Sequence, residues 1–289
     1  MSFTCPICNS NEYSLELSAK DFTVSKESFD VVSCKNCGLW QTFPFPDKNI
    51  IGRYYESKEY ISHSDTKETL FDKIYHFVRN ITIKQKTNLV KKYVPRGTIL
   101  DFGCGTGYFL ENCKKTGFNT YGIEPNDNAR NLAIQKGLEV KSDISYFVDN
   151  NISFDVITLW HVLEHLYNPK EFINLAYELL NDKKYLIIAV PNRLSYDAKF
   201  YKEFWAGYDV PRHLFHFTQN DIKNLIKDKF VLKQINPMYF DSFYVSILSE
   251  KYKGNRYSFI SGMLRGCLSN ASALFTNQYS SLIYVLQKM

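Results

Sequence analysis

From residue 98 onward, short runs of apolar residues alternate with segments whose apolar positions recur every three or four residues. The runs predict strands, the wider spacing predicts helices, and Gly or Pro residues mark several of the boundaries. The predicted strands are residues 98–102, 120–123, 138–141, 154–159, 185–190, 230–235 and 282–286. The predicted helices between them are residues 108–115, 127–136, 170–180 and 218–228. Strands that alternate with helices predict a parallel α/β sheet with helices on both faces.

The segment before the first of these strands is rich in aromatic residues. A long helix is predicted over 66–93, and Pro95 and Gly97 end it. Tyr54, Tyr55 and Tyr60 precede that helix, and we expect them either to close one side of a substrate pocket or to pack against the N-terminal segment.

An additional segment, 244–278, separates the last two predicted strands. Within it, apolar residues spaced by three or four positions predict an amphipathic helix over 258–275. These residues are Phe259, Met263, Cys267, Ala271 and Leu274. We expect this stripe to pack against the edge of the sheet, to form a wall of a substrate pocket or to form a homodimer contact. The opposite face carries Ser, Asn and Arg rather than Lys, so an anionic membrane surface is not the expected partner.

Composition limits the class of protein. The chain has 289 residues, 45% of them hydrophobic, which is enough for one catalytic domain with a small appendage. The net charge of +5 is mild and no run of five like charges occurs, so a nucleic-acid partner is not expected. The first residues do not resemble a signal peptide, and no apolar stretch is long enough to span a membrane. We therefore expect a cytoplasmic protein.

The strongest candidate for chemistry is the loop DFGCGTG after the first α/β strand, where Asp101 precedes Gly103, Gly105 and Gly107. A glycine-rich turn between strand and helix is where a doubly wound sheet binds a nucleotide-like ligand. Asp101 would repel a diphosphate but attract an ammonium group, and Tyr108 stands where a dinucleotide motif has its third glycine. The loop therefore predicts a ligand with a cationic amino-acid part and no phosphate, and S-adenosylmethionine is such a ligand.

Acidic residues also follow the next two strands. Glu124 lies 21 residues after Gly103, where a carboxylate can accept both ribose hydroxyls of the cofactor. Asp143 ends the third strand and is a candidate acceptor for the adenine amino group. Each acid could instead cap the helix that follows it. Trp160, at the end of the fourth strand, is a further candidate for cofactor binding.

Methyl transfer from a sulfonium requires an oriented acceptor and often the removal of the acceptor's proton. His161, Glu164 and His165 follow the fourth strand, and on a helical turn the two histidines would share a face. His165, His161 and His213 are candidates for the general base, with Glu164 as a further catalytic candidate. The alternative is a structural role, in which a histidine caps the next helix or anchors a loop.

A second cluster, WAGYDVPRHLFHF at 205–217, belongs to an insertion near 193–217 that we expect to lie over the pocket. Trp205, Tyr208 and Arg212 are its candidate substrate contacts. The alternative is a lid packed by aromatic residues, in which Asp209 and Arg212 pair with each other.

Four of the seven cysteines form two CxxC pairs, Cys5 with Cys8 and Cys34 with Cys37. Each pair can direct two thiolates at one point, so together they predict a closed, structural Zn²⁺ site. Zinc would fold a zinc-ribbon-like module that is too small to hold a core alone. A redox pair or a disulfide framework is the alternative. We therefore divide the chain into a zinc-binding module (1–45), a helical linker region (46–95) and a catalytic domain (96–289).

These motifs resemble those of the class I S-adenosylmethionine-dependent methyltransferase superfamily. The matching segments are DFGCGTG (101–107), GIEPN (122–126), SDI (142–144), TLWHVLEHLYNP (158–169) and LIIAVPN (186–192). The VLEHL block followed by a proline is typical of small-molecule methyltransferases similar to the ubiquinone-biosynthesis enzymes. The resemblance covers residues 84–240 and implies a Rossmann-like, seven-stranded sheet of order 3-2-1-4-5-7-6 with its last strand antiparallel. The family joins its last two strands by a tight hairpin, so segment 244–278 is a departure.

The resemblance implies S-adenosylmethionine as cofactor and a small-molecule acceptor. The chain also resembles a bacterial subgroup with a Cys-rich N-terminus and a WxGxDxPRHxxHF segment. Some deoxysugar methyltransferases share the Cys-rich N-terminus, so a sugar or a nucleotide-linked sugar is one expected acceptor. Two alternatives stay open: an RNA methyltransferase that grips RNA with its zinc module, and a non-catalytic module that binds S-adenosylmethionine or a protein partner.

Overall fold

The computed structural model of the protein describes residues 3–56 and 70–289, and for residues 70–77 it describes the backbone alone. The strands are β1 (Tyr13–Lys20), β2 (Ser28–Cys34), β3 (Trp40–Phe43), β4 (Thr98–Phe102), β5 (Asn119–Ile123), β6 (Glu139–Lys141), β7 (Phe154–Trp160), β8 (Leu180–Pro191), β9 (Phe215–His216), β10 (Phe230–Pro237) and β11 (Ser281–Lys288). The helices are α1 (Leu70–Tyr93), α2 (Tyr108–Lys115), α3 (Asp127–Gln135), α4 (Ser145–Asp149), α5 (Pro169–Leu179), α6 (Tyr196–Tyr201), α7 (Gln219–Ile226), α8 (Asp241–Tyr252) and α9 (Ser258–Thr276). Single 3₁₀ turns lie at Ile51–Tyr55, Leu163–His165, Lys202–Phe204 and Ala206–Tyr208.

Seven strands form the main sheet, in the order β6-β5-β4-β7-β8-β11-β10. The first five are parallel, and β11 runs antiparallel to both β8 and β10. Counted along the chain from β4, with β9 outside this sheet, the order is 3-2-1-4-5-7-6. The predicted Rossmann-like fold is therefore confirmed.

Helices cover both faces of this sheet because neighbouring residues of each strand point to opposite sides. On β4, Ile99 packs in a cluster with Val90 of α1 and Cys113 of α2. Leu100, the next residue, packs in a second cluster that contains Phe172 of α5. Both residues of β4 are fully buried, so the strand that leads into the glycine loop is held from two sides.

Polar caps fix the starts of two helices where the sequence predicts them. Asn168 accepts a hydrogen bond from the amide of Glu171 at 3.2 Å, and Pro169 occupies the first turn of α5. Thr218 and Asp221 form a reciprocal capping box at α7. The Thr218–Asp221 box is confirmed, with Asp in place of the more common Glu or Gln.

A smaller antiparallel sheet has the order β1-β2-β3-β9. Its fourth strand comes from the insertion after β8, and it pairs Trp40 with His216 and Gln41 with Phe215. Thr42 adds a bond from its hydroxyl to the carbonyl of His213 at 2.7 Å. The N-terminal strands β1–β3, of which β2 ends at Cys34, and the 193–217 insertion are therefore built into one sheet.

The segment between β10 and β11 forms a helical hairpin of α8 and α9, and the predicted helix 258–275 is confirmed as α9. The expectation that its apolar stripe packs on the sheet edge is wrong: Phe259 is 50% exposed and Leu274 is 68% exposed. The small residues face α8 instead, and a Cβ on Gly262 would lie 2.5 Å from the Cα of Ile247. The helices approach this closely because Gly262 has no side chain. Within the described residues, no helix has both the length and the apolar character that crossing a membrane requires.

Candidate active site

The glycine loop has a backbone that only glycine adopts readily. Gly103, Gly105 and Gly107 have φ values of +71°, +54° and +82°. A Cβ on Gly103 would lie 2.6 Å from Cγ2 of Val162, and one on Gly107 would lie 2.4 Å from Cδ1 of Leu138. At Gly105 nothing lies within 4 Å of that position. The loop is therefore packed at both ends and open in its middle.

Asp101 lies at the inner end of this loop and is 3% exposed. One carboxylate oxygen accepts a hydrogen bond from the hydroxyl of Thr158 at 2.6 Å. Burial raises the pKa of Asp101 to about 7; Thr158 and Lys86 oppose the rise, and Glu124 adds to it. A nearby cation would stabilise the charged form of this buried carboxyl group and lower its pKa.

Glu124 follows β5 and faces the open part of the loop. Its Oε2 accepts from the amide of Gly105 at 2.9 Å, and its Oε1 accepts from the amide of Asn126 at 2.9 Å. The helix α3 has its own cap, because Asn126 accepts from the amide of Ala129. Glu124 therefore contributes acceptors directly beside the loop amides, and its predicted contact with ribose hydroxyls stays a prediction.

Lys86 is a residue of this site that sequence reasoning missed. It lies on α1, and its Nζ is 4.5 Å from the ring centroid of Trp160. Burial lowers the pKa of Lys86, while the charges of Asp241 and Asp101 oppose that shift. Only its neighbours in space distinguish Lys86 from the other lysines of α1, so the sequence carries no local signal for it.

Trp160 supplies a polar atom that lacks a partner. Its ring packs edge-on against Phe109, with centroids 5.4 Å apart. Its indole N–H is buried and has no hydrogen-bond partner among the described residues. Buried N–H groups are normally satisfied, so an unpaired one beside Lys86 and the glycine loop fits a site that a ligand completes.

Asp143, the predicted adenine contact, is exposed and makes only local bonds in the structure. It accepts from the amide of Ser145 at 2.7 Å and also from the Ser145 hydroxyl. These hydrogen bonds lower its pKa. These bonds hold Asp143 at the start of α4, but the cap position of that helix is Ile144 and has no side-chain cap, so the capping alternative is wrong for Asp143. The adenine contact stays a prediction.

The predicted helical turn that would put His161 and His165 on one face is wrong. His161 has φ +59°, and the 3₁₀ turn that follows contains only Leu163–His165. His161 points instead between two carboxylates, with Nδ1 3.4 Å from Glu164 and Nε2 3.1 Å from Asp241. Burial alone would lower the pKa of His161, but the two carboxylates outweigh it and raise the pKa to about 9.

His165 and His213 approach each other beside Glu164, with ring centroids 4.6 Å apart. Nδ1 of His165 bonds the carbonyl of Arg212 at 2.9 Å, and Nδ1 of His213 bonds the carbonyl of Gly207 at 2.9 Å. Because a carbonyl only accepts, each Nδ1 carries the hydrogen, and in a neutral ring the lone pair is on Nε2. The hydroxyl of Tyr55 lies 3.0 Å from the same Nδ1 of His165.

Burial and the neighbouring charged groups shift the pKa values of His165 and Glu164. Burial and the neighbouring His213 lower the pKa of His165 to about 4, so His165 is neutral near pH 7. Glu164 is fully buried, yet His161, His213 and His165 hold its pKa below the usual value. Nε2 of His213 is 4.0 Å from Oε1 of Glu164. The three predicted residues His165, Glu164 and His213 therefore lie together in one centre, where a neutral imidazole is close to a buried carboxylate.

Arg212 is 1% exposed and bonds acceptors from three parts of the chain. Its guanidinium donates to Asp209 at 2.6 and 3.0 Å, to Asp21 at 3.1 Å and to the carbonyl of Tyr54 at 2.7 Å. The pairing of Asp209 with Arg212 is confirmed, and these contacts join the insertion to the N-terminal sheet. A contact between Arg212 and substrate stays a prediction.

Trp205 and Tyr208, the other predicted substrate contacts, are both buried and pack edge-on with centroids 5.1 Å apart. The indole of Trp205 donates to Asp197 at 2.8 Å. Asp197 also accepts from Ser269 of α9 and from Ser280, the residue before β11, each at 2.7 Å, and so joins the insertion to both. These bonds describe a packed lid, and the substrate contacts of both aromatic residues stay predictions. Of the three tyrosines considered from the sequence, Tyr60 lies outside the described residues.

The four cysteines of the two CxxC pairs converge at one point. Each places its Sγ within 4.8 Å of the other three, and two of the S–S distances are 3.5 Å. Four thiolates around Zn²⁺ at about 2.3 Å lie roughly 3.8 Å apart, so the observed spacing fits a tetrahedral metal site. All four cysteines are free rather than disulfide-bonded in the structure, and the Zn²⁺ site stays a prediction.

Comparison with known proteins identifies the family of this chain. A family profile described as a methyltransferase domain matches residues 75–229, which is more than half of the 289 residues. The chain belongs to the methyltransferase-domain family.

This methyltransferase-family chain is 36% identical over 107 residues to the ubiquinone biosynthesis O-methyltransferase of Actinobacillus pleuropneumoniae serotype 7; the match covers 33% of this chain and 46% of that protein. A second relative with the same name, from Rickettsia bellii, is 26% identical over 147 residues, which cover 48% of this chain and 61% of the relative. The chain thus spans about half the length of the first of these relatives.

Solved structures share the fold of this methyltransferase domain. Magnesium protoporphyrin IX methyltransferase from Synechocystis PCC 6803, with bound SAH, has a TM-score of 0.56 and 15% identity, and the match covers 84% of this chain and 100% of that one. A mycolic acid cyclopropane synthase complexed with SAH has a TM-score of 0.50 and 14% identity, over 71% of this chain and 84% of that one. At these identities the likeness establishes the fold.

Proposed function

We propose that the protein binds S-adenosylmethionine in the glycine loop and transfers its methyl group to a small-molecule acceptor. The observation that carries the proposal is Asp101, a buried carboxylate at the inner end of an open glycine loop, with a pKa raised to about 7. A ligand with an ammonium group and no phosphate fits such a loop, because the cation offsets the cost of the buried charge. The family match over 75–229 supports the same function.

Each part of the cofactor has a candidate partner among the described residues. Asp101 would accept from the ammonium group, and Lys86, whose charge acts on Asp101, would attract the carboxylate. The unpaired indole N–H of Trp160 offers a further donor. Glu124 would accept from the ribose hydroxyls and Asp143 from the adenine amino group. Bound in this way, S-adenosylmethionine supplies a methyl group on a sulfonium, so the leaving group is neutral.

The centre formed by His165, Glu164 and His213 is the proposed site at which the acceptor loses its proton. Neutral His165 has its lone pair on Nε2 and is the proposed general base for the acceptor's proton. The carboxylate of Glu164 would stabilise the imidazolium that forms, as a buried negative charge does. His161 is a poor base here, since its pKa of about 9 keeps it protonated at neutral pH. We infer that His161 orients Glu164 instead.

The proposal extends to the metal and to the acceptor class. The Cys5, Cys8, Cys34 and Cys37 thiolates would hold a structural Zn²⁺, which is typical of a chain that works in a reducing cytoplasm. A sugar or a nucleotide-linked sugar is the proposed acceptor. Its support is the Cys-rich N-terminal segment, which resembles that of some deoxysugar methyltransferases and which β3–β9 pairing joins to the 193–217 insertion.

Transfer of labelled methyl to a panel of acceptors tests this function. The panel contains sugars, sugar nucleotides, phenols and RNA, and we expect label in a small molecule and none in RNA. His165→Asn keeps a donor for the Arg212 carbonyl but removes the base, so the rate should fall about 10² to 10⁴-fold while cofactor affinity stays native. Label in RNA alone would overturn the small-molecule proposal, and an unchanged rate in His165→Asn would remove the assigned base.

A further inference from the structure

The outward side of α9 is an apolar face that nothing in the described chain covers. Its members are Phe259, Ile260, Leu264, Leu268, Leu274 and Phe275, and we call them the α9 outer face. Ile260 is 69% exposed, Leu264 is 60% exposed and Phe275 is 89% exposed. The face runs for about 24 Å along the helix, given a rise of 1.5 Å per residue. Such a long apolar face is more than scattered surface residues account for.

The inner side of the same hairpin is small and polar. Ser242, Ser246, Ser249 and Ser269 are fully buried. Ser269 donates to Asp197 at 2.7 Å, and Tyr201 donates to Glu250 at 2.9 Å. A helix at a protein surface normally turns its apolar side inward and its polar side to water. This hairpin has the reverse arrangement, with its apolar side exposed and its small, polar side packed. The sequence-based argument against a membrane surface rested on the scarcity of Lys on the polar side of α9 and did not consider which side is exposed.

Charge indicates which partner covers the face. Lys251, Lys253 and Arg256 are exposed where α8 turns into α9. The two acids of segment 241–278 are turned inward: Asp241 pairs with His161, and Glu250 is buried against Tyr201. The exposed part of this fully described segment is therefore apolar and positive. A second copy of the chain would cover the apolar residues, but its hairpin would offer these cations no acidic partner.

We propose that the α9 outer face docks on the surface of a lipid bilayer that contains anionic phospholipid. The helix lies in the plane of the surface, with its apolar side chains at the acyl boundary, while the three cations meet the phosphates. Amphipathic helices bind membranes by this combination of apolar burial and attraction to anionic lipid. The proposal does not depend on the methyl-transfer reaction.

Flotation of the full chain with lipid vesicles tests whether the α9 outer face binds a membrane surface. One set of vesicles is phosphatidylcholine and the other also contains about a third phosphatidylglycerol. We expect binding to the anionic vesicles and binding weaker by about tenfold or more to the neutral ones. The double variant Ile260→Asp/Leu264→Asp should lose binding, whereas Leu15→Asp/Val231→Asp, at positions 60% and 47% exposed elsewhere, should keep it.

Reversing the charge of the three exposed cations measures the electrostatic contribution to vesicle binding. Lys251→Glu/Lys253→Glu/Arg256→Glu should lose binding to the anionic vesicles, while the matched set Lys91→Glu/Lys170→Glu/Lys223→Glu should retain most of it. A native melting temperature in each variant shows that folding is intact. Absence of vesicle binding by the native chain would overturn the proposal. A homodimer would also overturn it. In that case light scattering shows a dimer that Ile260→Asp/Leu264→Asp dissociates, and the native protein binds neither kind of vesicle.

Discussion

Nε2 of His161 lies 3.1 Å from Oδ2 of Asp241, the first residue of α8. This pair joins the loop after β7 to a hairpin that the family normally lacks. The added hairpin therefore reaches the candidate active site at its first residue, and it sets the charge of a histidine beside Glu164.

Asp241→Asn should lower the pKa of His161 from about 9 toward its ordinary value of about 6.5. A pKa raised by folding adds stability that is fully present below about pH 6.5 and is lost as the pH rises through about 9. The variant should therefore lose about 1 kcal/mol of unfolding free energy at pH 6 and much less above pH 9.5. Urea unfolding at three pH values measures this, with Asp228→Asn as an exposed control. If the variant loses the same unfolding free energy at every pH, the ion pair between His161 and Asp241 does not contribute to stability through its charge.

Gly103→Ala should destabilise the protein and weaken cofactor binding. It adds a Cβ at φ +71°, 2.6 Å from Val162, whereas Gly117→Ala meets nothing within 4 Å at φ +94°. Gly117→Ala thus reports backbone strain alone, about 1 kcal/mol, and Gly103→Ala adds about 1–3 kcal/mol of overpacking. Chemical denaturation of both variants gives the difference. Equal losses would mean that the contact with Val162 is not tight.

Removal of metal should destabilise the N-terminal sheet. Purified protein should carry one Zn²⁺ per chain, and Cys34→Ser should lose it while Cys267→Ser, at an exposed single cysteine, keeps it. Because β9 pairs with β3, the loss should also loosen the 193–217 lid, although the main sheet stays folded. Elemental analysis and limited proteolysis provide the readouts. Reduced native protein without zinc would contradict this part of the account.

Cofactor binding should release a proton near pH 6.5. Asp101 is largely protonated there, with a pKa of about 7, and an ammonium group beside it favours the charged form. Titrations in buffers of different ionisation enthalpy should show release of up to about one proton, which Asp101→Asn abolishes and Asp143→Asn preserves. If the binding enthalpy is the same in every buffer, no proton is released on binding, and the ammonium group does not lie beside Asp101.

The main sheet was predictable because its strands are continuous apolar runs with helical patterns between them. The small sheet was not, since β1 is mostly exposed and β9 has two residues that pair with a strand far away in sequence. Lys86 was missed for a similar reason, because only the packing of α1 brings it to Trp160.

The α9 error has a different cause. Periodicity shows which residues share a face but not which face is covered. The spacing of Gly262 and Gly266 is the signal that the small side is the packed one, since glycines four apart permit close helix contact.

A calorimetric titration of the protein with S-adenosylmethionine tests the proposed cofactor site directly. We predict binding by the native chain and a dissociation constant about 30- to 150-fold higher in Glu124→Ala, because the loss of two charge-assisted hydrogen bonds costs about 2–3 kcal/mol. Glu139→Ala, which removes a carboxylate at the start of β6, should bind as the native chain does. Absence of binding by the native chain, or native affinity in Glu124→Ala, would contradict the assignment of the glycine loop as the cofactor site.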